Sequence, residues 1–361
     1  MDLINITDWG LDICKNDGSP LLISGPCSAE TKEQVADTCQ QIASLGIDIL
    51  RAGIWKPRTR PGSFEGLGSI ALPWLIEAGK TNKLPVCCEV ANAFHVQEAL
   101  KHGVDILWIG ARTTVNPFAV QEIADALQHK DIPVFVKNPV NPDLELWIGA
   151  IERLNKVGIR KIAAIHRGFS VYNSPKYRNQ PQWEIPIELH RRYPNLEIIC
   201  DPSHIAGKRA LLYEIAQKAL DLNFDGLMIE AHIQPDQAWS DALQQLSPNG
   251  LKDLLQKLTS RQTESDNPDY LRKIHAFREL IDQLDSETLD LIDERMKIVR
   301  KIGQYKKASN IAVLQIERWM YVREMCIKKA EKLGISSKFV EEFISTIHNE
   351  SIDQQTTIMR N

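Results

Sequence analysis

The sequence predicts a (β/α)8 barrel followed by a smaller all-helical domain, and three observations support this. Short β-branched or apolar runs recur eight times, at 21–24, 47–50, 85–90, 106–109, 132–136, 161–165, 196–200 and 226–229. Amphipathic stretches with helical spacing lie between these runs, including 30–45, 94–102, 117–129, 144–157 and 208–222. Eight alternations are typical of a closed barrel, with a doubly wound open sheet as the alternative. A polar, breaker-rich segment then precedes a region that is helical throughout, which predicts a barrel domain at 1–257, a linker at 258–268 and a helical domain at 269–361.

The composition limits the classes of protein to which the chain can belong. It has 361 residues, 43% of them hydrophobic and 25% charged, which is enough to bury a large core. The net charge of −4 gives no general reason to expect a nucleic-acid partner. No signal-peptide pattern and no apolar run of roughly 18 residues is visible, so we expect a cytoplasmic protein without membrane contact. Seven cysteines without CxxC spacing predict reduced thiols.

A basic loop follows the second apolar run. Arg51, Lys56, Arg58 and Arg60 lie within ten residues, and two prolines make the loop stiff. Such a loop suits a small, multiply anionic ligand, although a solvated basic loop is the simpler alternative. Reactive residues of barrels lie at the C-terminal ends of strands. Further cations follow strands four, five and six, and together they predict an anion-binding mouth lined by Arg51, Lys56, Arg58, Arg112, Lys137 and Arg167.

Four other residues near strand ends have the chemistry of a metal site. Cys27 follows strand one, His204 follows strand seven, Glu230 ends strand eight and Asp241 lies in the next loop. Strands one, seven and eight are neighbours in a closed barrel. A thiolate, an imidazole and two carboxylates suit a divalent transition ion such as Mn, Fe, Co or Zn, which would act as a Lewis acid on a carbonyl oxygen.

Six short motifs at successive strand ends carry a family resemblance. They are Gly25-Pro26-Cys27-Ser28, Lys56-Pro57-Arg58-Thr59, Gly110-Ala111-Arg112, Lys137-Asn138-Pro139, His166-Arg167-Gly168 and Asp201-Pro202-Ser203-His204. In this order they closely resemble the compact, type I-beta form of 3-deoxy-D-arabino-heptulosonate 7-phosphate (DAHP) synthase. The resemblance covers about residues 20–255. It implies an aldol-like condensation of phosphoenolpyruvate with erythrose 4-phosphate, the first step of the shikimate pathway.

The resemblance also implies roles for individual residues. Lys56 is the expected proton donor, and water adds to the enol carbon near Glu89. The expected phosphoenolpyruvate-binding residues are Arg51, Glu89, Arg112, Lys137 and Arg167, those for erythrose 4-phosphate are Arg58 and Thr59, and the metal ligands are Cys27, His204, Glu230 and Asp241. Arg60, where many relatives have serine, receives no role.

The helical domain resembles a second family. Apolar residues recur near helical spacing from 268 to 307, which predicts one long helix, and shorter helices are predicted at 313–332 and 337–356 with Ser336 as an N-cap. The motifs Phe277-Arg278-Glu279-Leu280-Ile281-Asp282-Gln283-Leu284-Asp285, Glu294-Arg295 and Ser351…Gln355 resemble the all-helical chorismate mutase, an intertwined dimer that rearranges chorismate to prephenate. The implied chorismate-binding residues are Arg278, Arg295, Lys306, Gln315, Arg318, Ser351 and Gln355, with Lys306 and Gln355 as the catalytic donors to the ether oxygen. Trp319 stands where relatives often have glutamate.

Two alternatives to this reading remain open. The barrel could belong to 3-deoxy-D-manno-octulosonate 8-phosphate synthase, which shares much of the anion-binding mouth, although Lys56-Pro57-Arg58-Thr59 argues against it. The helical domain could be a non-catalytic dimerisation or effector-sensing module. Because chorismate is formed several steps after the heptulosonate, direct transfer of product between the domains is impossible. We therefore expect the helical domain of a homodimer to give feedback on the barrel, with prephenate as the effector.

Overall fold

The computed structural model describes residues 1–11, 13, 19–57, 62–172, 176–262 and 264–360. The chain forms two compact units, Met1–Thr263 and Glu264–Asn361.

The first unit contains a closed barrel of eight parallel strands, which confirms the predicted fold class. The strands follow one another around the barrel in chain order, and β8 closes it by pairing with β1 from Leu21 opposite Gly226 to Gly25 opposite Glu230. All but two of the strand residues are buried, as expected for a sheet covered on both faces. The strands are β1 (Leu21–Gly25), β2 (Ile49–Ala52), β3 (Val86–Val90), β4 (Ile106–Ile109), β5 (Val134–Lys137), β6 (Ile162–His166), β7 (Ile198–Cys200) and β8 (Gly226–Glu230).

Helices alternate with these strands and cover the outside of the barrel. Several begin at side-chain caps; for example, Asn92 and Asp143 each accept a hydrogen bond from a backbone N–H of the first helical turn. The helices of this unit are α1 (Lys32–Ala43), α2 (Leu72–Asn82), α3 (Ala93–His102), α4 (Ala111–Thr114), α5 (Pro117–Leu127), α6 (Leu144–Lys156), α7 (Glu184–Arg192), α8 (Pro202–Ala206), α9 (Leu212–Asp221) and α10 (Pro248–Lys257). Short 3-10 helices lie at Ile6–Asp8, Gly68–Ala71, Arg209–Leu211 and Pro235–Gln237.

The chain's first residues seal the barrel at the N-terminal ends of the strands. Ile6, Trp9 and Ile13 are buried in one cluster with the residues that fill the barrel interior. The Trp9 ring lies 5.4 Å from that of Phe135, centroid to centroid. The backbone N–H of Ile6 donates to Glu197 Oε2 at 2.6 Å. The opposite, C-terminal end of the barrel is therefore the end left open for a ligand.

Glu197 makes this seal sensitive to pH. Burial raises its pKa from 4.5 to about 7, and the nearby carboxylates of Asp225 and Asp8 add to the rise. Because the folded protein holds this proton more tightly than the unfolded chain, the free energy of unfolding should fall as pH rises from about 4.5 to 7. Glu197→Gln keeps an acceptor for Ile6 N–H without a charge. We expect it to raise the thermal midpoint of the barrel by about 2 °C or more at pH 8 and to have little effect at pH 4.5. A difference in midpoint that is the same at both pH values would contradict this explanation.

The second unit consists of three helices, α11 (Pro268–Ala308), α12 (Ile316–Leu333) and α13 (Ser337–Arg360). The C-terminal half of α11 packs closely on α13, because a Cβ on Gly303 would lie only 3.3 Å from Gln355 Cα. The N-terminal part of α11 instead presents exposed apolar side chains whose helical spacing places them on one face: Phe277, Leu280, Ile281, Leu284 and Leu291. We call these residues the α11 apolar face.

Within the described part of the chain, no helix has the length and apolar character needed to cross a membrane. The expected cytoplasmic location stays a prediction.

Candidate active sites

Two predicted anion-binding cations are buried in the open end of the barrel. Arg51 is the second-to-last residue of β2, and its guanidinium lies 4.8 Å from the centroid of the Trp108 ring. Lys137 ends β5, and its Nζ lies 5.6 Å from the same ring and 2.7 Å from Asp201 Oδ2. A buried cation is costly unless it is paired, so these contacts stabilise positive charge where a ligand would enter.

Arg167 is also buried at this end. Its Nη1 donates to Asn179 Oδ1 at 2.8 Å. Burial and the neighbouring cations Arg178 and Arg112 together lower the pKa of Arg167 to about 10, while Asp201 and Asp241 oppose this shift. Arg112 lies in α4 and is exposed. Three arginines close enough to perturb one another leave an excess of positive charge that an anionic group would compensate.

Glu89 lies on β3 among these cations. Its Oε2 accepts a hydrogen bond from Trp108 Nε1 at 3.1 Å. The carboxylate also requires glycine at position 110, because a Cβ there would lie 2.0 Å from Glu89 Oε1. The sequence motif that begins at Gly110 is thus explained by the close approach of a carboxylate.

The four predicted metal ligands lie at this end of the barrel in two pairs. Cys27 Sγ donates to Asp241 Oδ2 at 3.3 Å, and His204 Nε2 lies 3.8 Å from Glu230 Oε1. Lys56 connects to the first pair, with Nζ 2.9 Å from Cys27 Sγ. In the described ranges, no three or more His, Cys, Asp and Glu side chains are arranged as a group that could hold a metal ion.

The chemistry of these side chains nevertheless fits a divalent transition ion. The set combines sulfur, nitrogen and oxygen donors. Glu230 Oε1 is buried and accepts no hydrogen bond from any residue that the structure describes, although Arg51 Nη2 lies 3.3 Å away. His204 Nδ1 lies 2.8 Å from Asp201 Oδ2, the arrangement by which a carboxylate orients a metal-binding imidazole.

Burial and neighbouring charges determine the protonation of Cys27, Lys56 and Asp241. Burial raises the pKa of the Cys27 thiol to about 12, with Glu230 and Asp241 adding to the rise and Lys56 opposing it. Burial lowers the pKa of Lys56, but Cys27, Glu230 and Asp241 more than offset this, and the net shift is upward. Burial raises the pKa of Asp241, yet Arg178, Lys56 and His204 hold it well below its usual range. Without a metal ion, Cys27 is therefore a thiol beside an ammonium and a carboxylate, and a metal would displace the thiol proton.

Some expected residues lie elsewhere or outside the described residues. Arg58, Thr59 and Arg60 fall in the gap between 57 and 62, so their predicted roles stay predictions. His166, from one of the six motifs, faces away from the mouth, where its ring contacts Trp147, Phe169, Trp183 and Phe224. Burial there lowers the pKa of His166 to about 3, so it is a neutral residue of the layer between strands and helices.

The sequence analysis did not identify three residues that contact the predicted site. Arg178 Nη1 donates to Asp241 Oδ1 at 3.1 Å. Gln244 Nε2 donates to Glu230 Oε2 at 2.7 Å, and Gln245 Oε1 accepts from the backbone N–H of Cys27 at 2.8 Å. The sequence does carry a signal for the two glutamines. They lie side by side between Leu243 and Leu246, and a polar pair inside such an apolar segment indicates buried side chains that need hydrogen-bond partners.

The second unit brings several of its predicted residues together between α11 and α13. Arg295 Nη1 donates to Ser351 Oγ at 2.5 Å, and Gln355 Nε2 donates to the Ser351 carbonyl oxygen at 3.1 Å. Lys306 Nζ donates to the carbonyl oxygen of Val313 at 2.6 Å, and burial lowers the pKa of Lys306. The buried Gln355 Oε1 accepts no hydrogen bond from the described residues.

The remaining predicted residues of this unit are exposed. Gln315 is the N-cap residue of α12, and the Arg318 guanidinium lies over the Tyr321 ring at 5.3 Å. Trp319 stacks on His348 with ring centroids 4.0 Å apart. Burial lowers the pKa of His348, and the charges of Arg295 and Lys306 lower it further. The sequence analysis did not identify His348 as part of this group.

Arg278 lies on the same helix as Arg295 but 17 residues before it, since 295 − 278 = 17. At 1.5 Å per residue this places the two Cα atoms about 26 Å apart. One chain therefore cannot bring Arg278 and Arg295 to the same small ligand.

Comparisons with known proteins identify a family for each part of the chain. The family model described as the DAHP synthetase I family matches residues 4–266, and that described as chorismate mutase type II matches residues 277–356. Phospho-2-dehydro-3-deoxyheptonate aldolase of Thermotoga maritima is 30% identical over 253 residues, which cover 70% of this chain and 72% of the relative. A crystal structure of phospho-2-dehydro-3-deoxyheptonate aldolase (DAHP synthase) from the same organism aligns with a TM-score of 0.62 and 29% identity, over 69% of this chain and 70% of that one.

Two further relatives match different parts of the chain. The 2-dehydro-3-deoxyphosphooctonate aldolase of Desulfotalea psychrophila is 28% identical over 269 residues, covering 69% of this chain and 92% of the relative. The bifunctional chorismate mutase/prephenate dehydratase of Buchnera aphidicola is 29% identical over 84 residues, which are 23% of this chain and 22% of the relative.

Proposed function

Because the chain belongs to the DAHP synthetase I family and carries a chorismate mutase type II domain, it is a bifunctional enzyme of the shikimate pathway, and we propose which residues carry out each of its two reactions. The barrel condenses phosphoenolpyruvate with erythrose 4-phosphate, and the helical unit converts chorismate to prephenate. The observation that best supports the barrel assignment is the set of buried cations at its open end, which are next to the Cys27–Asp241 and His204–Glu230 pairs.

In this proposal the cations bind and orient phosphoenolpyruvate. Arg51, Lys137, Arg112 and Arg167 hold its carboxylate and phosphate, whose negative charges compensate the positive charge of the mouth. Lys56 is the proton donor, a role that the family motif implies and that is consistent with its buried position in the mouth, with Nζ 2.9 Å from Cys27 Sγ. Glu89 lies where water adds to the enol carbon. Arg58 and Thr59 bind erythrose 4-phosphate, a role that rests on the family motif alone.

We also propose that the barrel reaction requires a divalent metal ion held by Cys27, His204, Glu230 and Asp241. When bound, such an ion supplies Lewis-acid polarisation of the aldehyde oxygen. The protein's part is to orient the donors: Asp201 fixes the His204 ring through Nδ1, and Lys56 and Asp241 hold the Cys27 sulfur.

A chelator experiment tests the metal requirement. We expect the protein to consume phosphoenolpyruvate with erythrose 4-phosphate, to lose this activity after chelation, and to regain it on adding Mn²⁺, Fe²⁺, Co²⁺ or Zn²⁺. The loss of enol absorbance is the measurement. Because similar relatives include 2-dehydro-3-deoxyphosphooctonate aldolases, arabinose 5-phosphate in place of erythrose 4-phosphate is the control. Full activity in verified metal-free protein would exclude the metal, and a preference for the pentose phosphate would exclude the heptulosonate assignment.

For the helical unit we propose a mutase site shared between two chains. Arg295, Lys306, Ser351 and Gln355 come from one chain, and the exposed Arg278 comes from a second copy that covers the α11 apolar face. The cations bind the two carboxylates of chorismate. Lys306 and Gln355 donate to its ether oxygen, which is where negative charge develops.

We further propose that prephenate bound at the helical site inhibits the barrel. The supporting observations are the fusion itself and the polar linker at 258–268. Prephenate should inhibit condensation by the native enzyme and should do so much more weakly in Arg295→Ala, which loses a carboxylate-binding cation. Initial rates of phosphoenolpyruvate consumption at increasing prephenate give the two inhibition constants. Arg272→Ala, an exposed arginine at the start of α11, is the control. Unchanged inhibition of Arg295→Ala would place the sensor elsewhere, and cleavage near Ser265 should abolish the effect.

A further inference from the structure

Gln244 connects two side chains of opposite charge in the barrel mouth. It is almost completely buried, its Nε2 donates to Glu230 Oε2 at 2.7 Å, and its Oε1 accepts from Arg178 Nη1 at 2.7 Å. A carboxylate can only accept and a guanidinium can only donate, so the orientation of the amide is fixed by its partners. Reversing it would break both hydrogen bonds.

Arg178 extends this connection to the second carboxylate. The same Nη1 donates to Asp241 Oδ1 at 3.1 Å. Glu230, Gln244, Arg178 and Asp241 therefore form one chain of hydrogen bonds across the mouth, and we call its two central members, Gln244 and Arg178, the carboxylate bridge. The backbone reinforces it, because Asp241 has a left-handed φ of 46° and its carbonyl oxygen accepts from Gln244 N–H at 3.2 Å. Gln244 is thus tied to the turn that carries Asp241.

The carboxylate bridge binds one oxygen of each carboxylate. The other oxygen of each lies near a second proposed metal ligand, which is His204 for Glu230 and Cys27 for Asp241. Glu230 is held through Oε2, and its Oε1 lies 3.8 Å from His204 Nε2. Asp241 is held through Oδ1, and its Oδ2 lies 3.3 Å from Cys27 Sγ. Carboxylates bonded in this way cannot rotate without losing a charge-assisted hydrogen bond. By binding Glu230 Oε2 and Asp241 Oδ1, the carboxylate bridge leaves Glu230 Oε1 and Asp241 Oδ2 facing the other proposed metal ligands.

We propose that Gln244 and Arg178 are positioning residues that preset Glu230 Oε1 and Asp241 Oδ2 as ligands for a divalent ion, an inference that rests on the metal requirement proposed above. Arg178 also balances the repulsion between the two carboxylates before an ion arrives. Residues that orient metal ligands typically change the affinity for the metal by 10- to 100-fold when they are replaced. Neither residue needs to touch a substrate for this effect.

The test is a Co²⁺ titration of the full-length, metal-stripped protein. Gln244→Met has nearly the same length and removes both hydrogen bonds of the amide. We expect its affinity for Co²⁺ to fall by about 10- to 100-fold, measured by competition with a chromophoric chelator, and the thiolate-to-cobalt absorption band to change. Arg178→Met removes the hydrogen bonds to Asp241 and to Gln244 Oε1 but keeps the bond from Gln244 to Glu230 and, because Arg178 is partly exposed, should disturb packing less. We expect it to weaken Co²⁺ binding in the same direction.

A similar bridge on the outside of the barrel provides the matched control. Gln121 accepts from Arg153 Nη1 at 2.9 Å and donates to Asp125 Oδ1 at 2.8 Å. Gln121→Met should leave Co²⁺ affinity and spectrum unchanged. Should Gln244→Met fail to fold by circular dichroism, Arg178→Met decides the question.

The outcomes separate this inference from the proposed function. Native Co²⁺ affinity and spectrum in a folded Gln244→Met or Arg178→Met protein would overturn the bridge and leave the metal site intact. Failure of the native protein to bind Co²⁺ would overturn the metal site and the bridge together.

Discussion

Replacing Cys27 with alanine should lower the condensation rate by at least about 10³-fold while leaving chorismate turnover nearly unchanged. The thiol is fully buried, and it lies 3.3 Å from Asp241 Oδ2 and 2.9 Å from Lys56 Nζ. Its removal takes the only sulfur from the proposed donor set, and a Lewis acid contributes several kcal/mol to such a reaction. The helical unit should keep its activity because its own residues are unchanged. Both rates can be followed on one preparation, by the loss of enol absorbance and the loss of chorismate.

Cys39→Ala is the matched control for this prediction. Cys39 is also fully buried, but it lies in α1 within the layer between helices and strands. Cys39→Ala should show any loss of stability that comes from removing a buried thiol, but its condensation rate should stay near that of the native protein. His204→Ala should behave like Cys27→Ala. Full synthase activity in metal-stripped Cys27→Ala protein would refute the role of the thiol as a ligand.

Mixing Arg278→Ala protein with Arg295→Ala protein should restore mutase activity that neither variant has alone. The two arginines are about 26 Å apart along α11 and about 100° apart around it, so they can serve one site only if they come from different chains. The α11 apolar face gives two copies a surface to bury against each other. In a symmetric dimer formed by random exchange, about a quarter of all sites would carry both arginines. The expected rate is therefore about a quarter of the native rate, measured after subunit exchange is verified.

The negative control for the subunit-mixing experiment uses two residues, Arg295 and Lys306, that one chain contributes together to the same mutase site. Arg295 and Lys306 lie on the same half of α11, and both lower the pKa of His348. A mixture of Arg295→Ala and Lys306→Ala proteins forms mixed dimers without any intact site, so it should remain inactive. Restoration in this control, or no restoration in the Arg278→Ala and Arg295→Ala mixture, would count against a shared site.

The sequence predicted the strands and the long helix well because their burial patterns are simple. All eight apolar runs became strands, with boundaries displaced by a few residues at most, and the predicted helix from 268 became α11. The sequence analysis did not give positions for α2, α4, α7, α8 and α10, and in two of these helices a helix-breaking residue interrupts the apolar pattern. Pro186 lies inside α7, and Gly79 lies inside α2. Val86 packs against Gly79 so closely that a Cβ on residue 79 would lie only 2.3 Å from Val86 Cγ1. In both cases the fold gives a breaker a position that local sequence cannot reveal.

Strand position alone identifies candidate site residues only at or near the ends of strands. Arg51, Lys137 and Glu230 were predicted because each is the last or second-to-last residue of a strand, and the barrel brings such positions together. Arg178 and Gln244 lie in long loops whose path the apolar pattern does not specify. Their contacts depend on two loops, one after β6 and one after β8, meeting over the mouth. Sequence spacing carries no information on such a meeting.

The sealed end of the barrel also sets the order in which the protein can fold during synthesis. Ile6 N–H has its partner in Glu197, 191 residues later, and Ile4 N–H donates to the carbonyl oxygen of Arg160. The segment around Ile6 is synthesised before β7 and must therefore wait until that strand has left the ribosome, and β1 must wait still longer for β8. Contacts of such long range form slowly because the entropy of closing the loop is lost before they form. During this interval Trp9 has no barrel interior to enter, so the nascent chain exposes an apolar segment that the finished enzyme conceals.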